Sequence, residues 1–264
     1  MESMNRSEPA QNGVPVNATG SVNAADSINT TALVGKVTPV TRAGRPRANA
    51  DNSNSSLSGR EQILDAAAAL FSEVGFSGTS TRAIADRVGI RQQSLYYHFA
   101  GKDEMLAEML SDSVRPSILF AQEIEAQVPL TISAAGALFA LASFDAQTLR
   151  RTPHNIGTLY LLPEIQNPRY EDFRDQRIQL RAIYGRLGVA TAHPQVRATF
   201  SEERIGVILI QLAEVVIQLR SDKETAVTDL DDATIAASCL RVLGLSIEQI
   251  EQARRHAQNL PAPA

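Results

Sequence analysis

The sequence predicts an all-α protein: a small three-helix unit beginning near residue 60, followed by a larger helical body. Three observations predict it. Apolar residues recur at helical spacing, with Ile63, Ala67, Leu70, Phe71 and Val74 falling at i, i+4, i+7, i+8 and i+11. No run of alternating apolar and polar residues bounded by turn signals appears anywhere, so no sheet is expected. Gly and Pro stand where helical segments would stop, as at Gly75, Gly89 and Pro116.

Residues 1–58 are rich in Ser, Thr, Asn, Ala, Gly and Pro and keep no period. Such a stretch buries too little surface to offset its ordering entropy and reads as a disordered tail. The first helix follows Ser58, a suitable N-cap, and ends at Gly75. The second has Thr79-Ser80-Thr81 as capping candidates, turns Ile84, Ala85 and Val88 inward and stops at Gly89. The third is short, Gln92 to Phe99. The fourth begins at Lys102-Asp103-Glu104, where acids suit the first turn, and carries Met105, Leu106, Met109 and Leu110 up to the break expected at Pro116. Further helices are expected over 117–127, 130–149, 154–163, 168–190, 201–220, 231–244 and 246–259, with Pro129, Pro153, Pro163, Pro168 and Pro194 as starts, kinks or breaks.

Composition bounds the function. With 44% hydrophobic residues the 264-residue chain can bury a real core, and one cysteine, Cys239, excludes an internal disulfide. The net charge of −4 argues against a nucleic-acid binder until it is divided: residues 42–102 hold 8 basic and 5 acidic side chains (+3), while 103–264 hold 15 and 21 (−6). A locally basic segment on an acidic body is the asymmetry of a chain that meets phosphates at one end only. The first two dozen residues have no apolar run and no segment is long and apolar enough to span a bilayer, so neither secretion nor membrane insertion is expected and the cytoplasm is the expected address. There is no G-x-S-x-G, Walker loop, H-E-x-x-H or G-x-G-x-x-G, and the four histidines are scattered. No catalytic residue, metal or cofactor is therefore expected, and the chain does not read as an enzyme.

The second and third helices, separated by Gly89-Ile90, make a helix-turn-helix. Leu95 and Phe99, four apart, anchor the third helix while Gln92, Gln93, Tyr96 and Tyr97 point away. Gln pairs bidentately with adenine, and Ser, Tyr, His and Lys donate to phosphate oxygens. The alternative for the glutamines is a solvated face; for Tyr96, Tyr97 and His98 it is packing in the small core. Lys102 sits where a cation opposes the helix dipole, which favours a phosphate contact.

The run from Arg60 to Leu110 resembles the N-terminal domain of the TetR family of bacterial transcriptional regulators. The residues that carry the likeness are Ala67, Leu70 and Phe71, the Gly75-Phe76 turn, Thr81-Arg82 with Ile84-Ala85, Val88-Gly89-Ile90, and Leu95-Tyr96-Tyr97-His98-Phe99 followed by Lys102. The resemblance implies that Gln92, Gln93 and Ser94 read bases, while Thr81, Arg82, Tyr96, Tyr97, His98 and Lys102 contact phosphates or seat the helix. It implies a homodimeric repressor released from a palindromic operator by a small molecule, divided into a tail with a basic arm (1–58), a DNA-binding unit (59–103) and an effector-binding and dimerisation unit (104–264). A ligand-independent DNA-associated protein of the same domain type is the alternative. In the tail, Gly44-Arg45-Pro46 resembles an AT-hook, with Arg42 and Arg47 beside it but Ala43 off pattern; Arg45 either enters a minor groove or belongs to a solvated basic patch.

In the larger unit, 201–220 and 231–244 are apolar nearly all round, which fits either a dimer interface or full burial in one subunit. Cys239 within them reads as a small buried hydrophobe. Tyr170, Phe173, Arg177, Leu180, Tyr184 and Leu187 fall near one stripe, so Arg177 needs a partner, either an acid such as Asp145 or Glu164 or an anionic or phenolic effector. Phe144, His154 and Tyr160 join Phe173, Arg177 and Tyr184 as effector candidates, and a bound effector is expected to shift the fourth helix near 103–115.

Overall fold

A computed structural model of the chain describes residues 57–128, 130, 132–222 and 230–260. Nearly all of the tail expected over 1–58, and with it Arg45, lies outside the described residues. Those described are helical, with no strand among them. α1 spans Gly59–Val74, and Ser58 caps it through a reciprocal box: its hydroxyl accepts from the Glu61 amide while the Glu61 carboxylate accepts from the Ser58 amide at 2.7 Å. Ile63, Ala67 and Phe71 are buried as their spacing predicts, whereas Val74, in the last turn, is left exposed. α2 (Thr81–Val88) is capped by Ser80 and ends on Gly89, whose φ of 77° places it in the left-handed region where glycine is unstrained. α3 (Gln92–His98) follows.

α4 (Lys102–Ala126) runs for 25 residues straight through Pro116, so the break expected there does not occur. Pro116 removes the amide that would bond the carbonyl of Asp112, but both residues lie on the exposed side, where the carbonyl is open to solvent and its lost bond costs little. The opposite side stays buried on both sides of the proline, through Leu110, Val114, Ile118 and Ala121. α5 (Ala134–Arg151) is central and packs against α4 and five later helices: α6 (Glu171–Thr191), α8 (Glu202–Ala213), α9 (Val215–Ser221), α10 (Asp232–Val242) and α11 (Ile247–Gln258). Between α5 and α6 the expected helix over 154–163 is instead three 3-10 turns, Ile156–Leu161, Pro163–Gln166 and Pro168–Tyr170; prolines at the starts of the second and third prevent one continuous helix. α7 (Pro194–Thr199) was not expected, and the helix expected over 201–220 is divided at Glu214 into α8 and α9 (Val215–Ser221).

α6 and α8 meet through glycines. A Cβ on Gly206 would stand 2.4 Å from the Arg181 carbonyl oxygen, and one on Gly185 would stand 2.8 Å from that of Glu202. The backbones approach as closely as they do because neither side chain exists. One continuous core joins Phe71, Leu95 and Phe99 through Met105, Leu106 and Leu110 of α4 to Leu141, Tyr184 and Leu209. Each such side chain contributes about 1.5–3 kcal/mol on burial. Cys239 is fully buried within it, and burial pushes its thiol up to about 12, consistent with a packing role.

Candidate DNA-reading face and effector cavity

α3 is divided sharply by burial. Leu95 and Phe99 are fully enclosed, while Gln92, Gln93, Ser94, Tyr96 and Tyr97 are exposed, Tyr97 at 88%. A tyrosine that exposed contributes nothing to the core, so packing does not account for it. The Arg60 guanidinium lies over the Phe99 ring, 4.4 Å from its centroid, and pairs in bidentate fashion with Glu108, which ties the end of α3 to α1 and α4. Arg87 holds α2 on α1 through both carboxylate oxygens of Glu73, at 2.7 and 3.0 Å.

On the outer surface, Gln92 Nε2 donates to Thr81 Oγ1 at 3.0 Å and to Tyr96 Oη at 3.4 Å, and Thr81 and Tyr96 are themselves 3.1 Å apart. The three side chains orient one another across α2 and α3. Arg82 is exposed, with Asp86 3.9 Å away. His98 is half-buried; it meets the Tyr97 ring edge-on and faces Gly59 at the start of α1. Arg91, passed over in the sequence, is an exposed cation beside the glutamine pair; the signal was a basic residue at the helix start, where Ser, Thr or Asp is usual.

The Lys102 Nζ donates to the carbonyls of Phe76 at 2.7 Å and Thr79 at 3.0 Å, and sits over the Phe76 ring. Two of its three donors thus close the α1–α2 turn.

In the larger unit a cavity of about 310 Å³ lies between the 3-10 turns, α6 and α8, lined in part by Tyr160, Ile165, Phe173, Arg177, Val207 and Ile210. A second, of about 380 Å³, lies between the first 3-10 turn and the α8–α9 junction, and shares Tyr160, Arg177 and Gln211 with the first. Three of the expected effector residues, Tyr160, Phe173 and Arg177, thus come together. Phe144 is elsewhere: it packs on Phe120 and lines a separate cavity of about 340 Å³ near α11. Tyr184 lines neither cavity beside Arg177; it is fully buried and its hydroxyl donates to Asp145 Oδ2 at 3.1 Å. His154 is bonded instead to Asp65 of α1, at 2.9 Å.

The partner of Arg177 is neither Asp145 nor Glu164 but Glu214, which it grips with both terminal nitrogens, one at 3.0 Å. Glu164 accepts from Ser77, and Asp145 accepts from Ser117 at 2.7 Å as well as from Tyr184. Burial raises the Asp145 carboxyl to about 6, only partly offset by those bonds. The segment between α5 and α6 faces two ways. Its residues line the cavities, and it also holds the first unit through His154–Asp65, Glu164–Ser77 and Tyr170–Asp103, the last at 3.0 Å.

Residues 63–109 match the family model described as bacterial regulatory proteins, tetR family. The solved structure of Mycobacterium smegmatis AmtR is 34% identical, covering 81% of this chain and 100% of that one, with a TM-score of 0.67. The chain belongs to the TetR family. The HTH-type transcriptional repressor KstR2 of Mycobacterium tuberculosis is 51% identical over 51 residues, 19% of this chain and 26% of the repressor, so that likeness covers about a quarter of the relative. The solved structure of the ketosteroid transcriptional regulator KstR2 of that organism, 21% identical over 75% of this chain and 96% of its own, with a TM-score of 0.52, shares the fold. No helix among the described residues of this TetR-family chain is long and apolar enough to cross a membrane.

Proposed function

We propose that this TetR-family chain is a homodimeric transcriptional repressor that binds a palindromic operator and is released by a small effector, phenolic or anionic. The observation that carries the reading is α3: a short helix anchored by two fully buried residues and otherwise presenting Gln92, Gln93, Ser94, Tyr96 and Tyr97 to solvent. Gln92 and Gln93 read base edges, with adenine the natural match. Thr81, Arg82, Tyr97 and Arg91 meet phosphates, and His98 seats the helix. Arg45 remains a proposal for the minor groove. The reading unit is taken as 59–103 and the effector and dimer unit as 104–264.

Self-association through 201–220 and 231–244 is supported by apolar side chains left on their outer faces: Ile208 at 40% and Val242 at 48% exposure. The experiment that tests the reading is retention of genomic DNA fragments by the purified chain at moderate salt, followed by sequencing. Enrichment of an inverted repeat is expected; salt-sensitive retention with no enriched sequence would refute it and favour a ligand-independent DNA-associated role.

A further inference from the structure

Arg177 forms the wall common to two cavities. Its side chain is 23% exposed and that of Glu214 only 11%, the Tyr160 ring lies 4.5 Å from the guanidinium, and Gln211 Nε2 donates to Glu214 Oε2 at 2.9 Å. A largely buried ion pair gives little net stability once desolvation is counted, so a stability role alone is a weak account of it. The carboxylate comes from the one residue between α8 and α9, where the helix is interrupted. On one side of the pair the cavity sets Ile165, Phe173, Val207 and Ile210 beside Arg174, Arg181 and Gln211; on the other, Leu161, Val215 and Ile217 stand beside Thr158, Gln218 and Ser221.

We propose that Glu214 is a built-in stand-in for the effector's head group. The effector is an organic carboxylic acid whose carboxylate takes the bidentate seat on Arg177 and whose apolar body fills the cavity between α6 and α8. The displaced Glu214 carboxylate turns into the second cavity, toward Thr158, Gln218 and Ser221. A volume of about 310 Å³ is at the small end of ligand sites and suits an acid built on a single ring. Planar, bidentate recognition of a carboxylate by an arginine stacked on an aromatic ring is the chemistry for which arginine is suited.

The exchange reaches the reading unit through named contacts. Losing Glu214 frees the α8–α9 joint. α9 is tied to the end of α5 and the segment after it, where the Arg220 guanidinium donates to the carbonyls of Leu149 and Thr152 and Asn155 Nδ2 donates to the Ile217 carbonyl. The neighbouring His154 holds Asp65 of α1. This proposal rests on the reading of the chain as an effector-released repressor, but its test needs no DNA.

Calorimetric titration of the full chain with benzoate, phenylacetate and hexanoate, each beside its neutral amide, tests it. Expected is binding of at least one acid with its amide weaker by about tenfold or more, as befits loss of a charge-assisted bond. Glu214→Gln, which weakens the internal competitor, should tighten acid binding by about tenfold, and the double variant Arg177→Gln with Glu214→Gln, which keeps a neutral pair in place, should abolish it. If Glu214→Gln fails to fold, Gln211→Ala, which loosens Glu214, should also tighten binding. Acids and amides binding alike, no acid binding even to a folded variant at millimolar concentration, or tightening in neither variant would overturn the proposal. Acid binding by a chain that retains no specific DNA would instead overturn the repressor reading and leave this one standing.

Discussion

At the residue scale, Lys102 and Asp145 make separate predictions. Because the Lys102 ammonium closes the α1–α2 turn on the carbonyls of Phe76 and Thr79, Lys102→Ala should lower the melting temperature by several degrees and weaken binding to all DNA sequences. It should leave the salt dependence of binding unchanged, since no phosphate contact is lost; a slope reduced by about one would show a phosphate contact. Asp145 is buried, with its carboxyl raised from 3.8 to about 6. A raised carboxyl means that the folded state holds its proton more tightly than the unfolded state, so stability is fullest below about pH 4 and falls as pH rises to about 6. Above that, the ionised group costs about 3 kcal/mol. Asp145→Asn, which accepts from one of the two hydroxyls while the other turns to accept from its amide as it would from a protonated carboxyl, should therefore raise the melting temperature at pH 7.5 and change it little at pH 4.5. Equal effects at the two values would contradict the burial argument. The residue-level pattern was partly legible: the spacing of Leu95 and Phe99 placed the glutamines outward. The partner of Arg177 was not, because Glu214 is 37 positions away, at a helix break concealed by apolar residues that continue on both sides of it from Ile205 to Leu219.

At the element scale, the glycine contact between α6 and α8 sets how the cavity wall is built. Gly206→Ala places a methyl group 2.4 Å from the Arg181 carbonyl, and backbone cannot yield as a flexible side chain does. The helices must separate, at about 1–3 kcal/mol. A fall of several degrees in melting temperature is expected, and an unchanged value would show the approach to be looser than described. Helices α1 to α3 were readable to within a residue or two from Ser58, Gly75, Ser80 and Gly89, because caps and left-handed glycines are local signals. Pro116 misled because the burial of Val114, Ser117, Ile118 and Ala121 around it outweighs one lost hydrogen bond on the exposed side. The 3-10 turns between α5 and α6 are held by contacts to distant residues such as Asp65, Ser77 and Asp103, which no local period encodes.

At the scale of the whole molecule, reading a palindrome takes two copies of the chain, since one α3 reads only a half-site. Ile208→Glu combined with Val242→Glu places charges on partly exposed positions that a folded monomer tolerates. Sedimentation should show the variant monomeric, with operator affinity reduced by orders of magnitude; a dimer of unchanged affinity would move the interface elsewhere. Sequence reading by α3 shows in the ratio of affinities for the recovered operator and a scrambled duplex, measured at one salt concentration for the native chain and for Gln92→Ala combined with Gln93→Ala. Each bidentate base contact gives about 1–3 kcal/mol of discrimination. The double variant should therefore lose the ratio by about a hundredfold while binding the scrambled duplex as before, with the same salt slope. A ratio that survives the double substitution would contradict the account, because specificity would then reside outside the exposed face of α3.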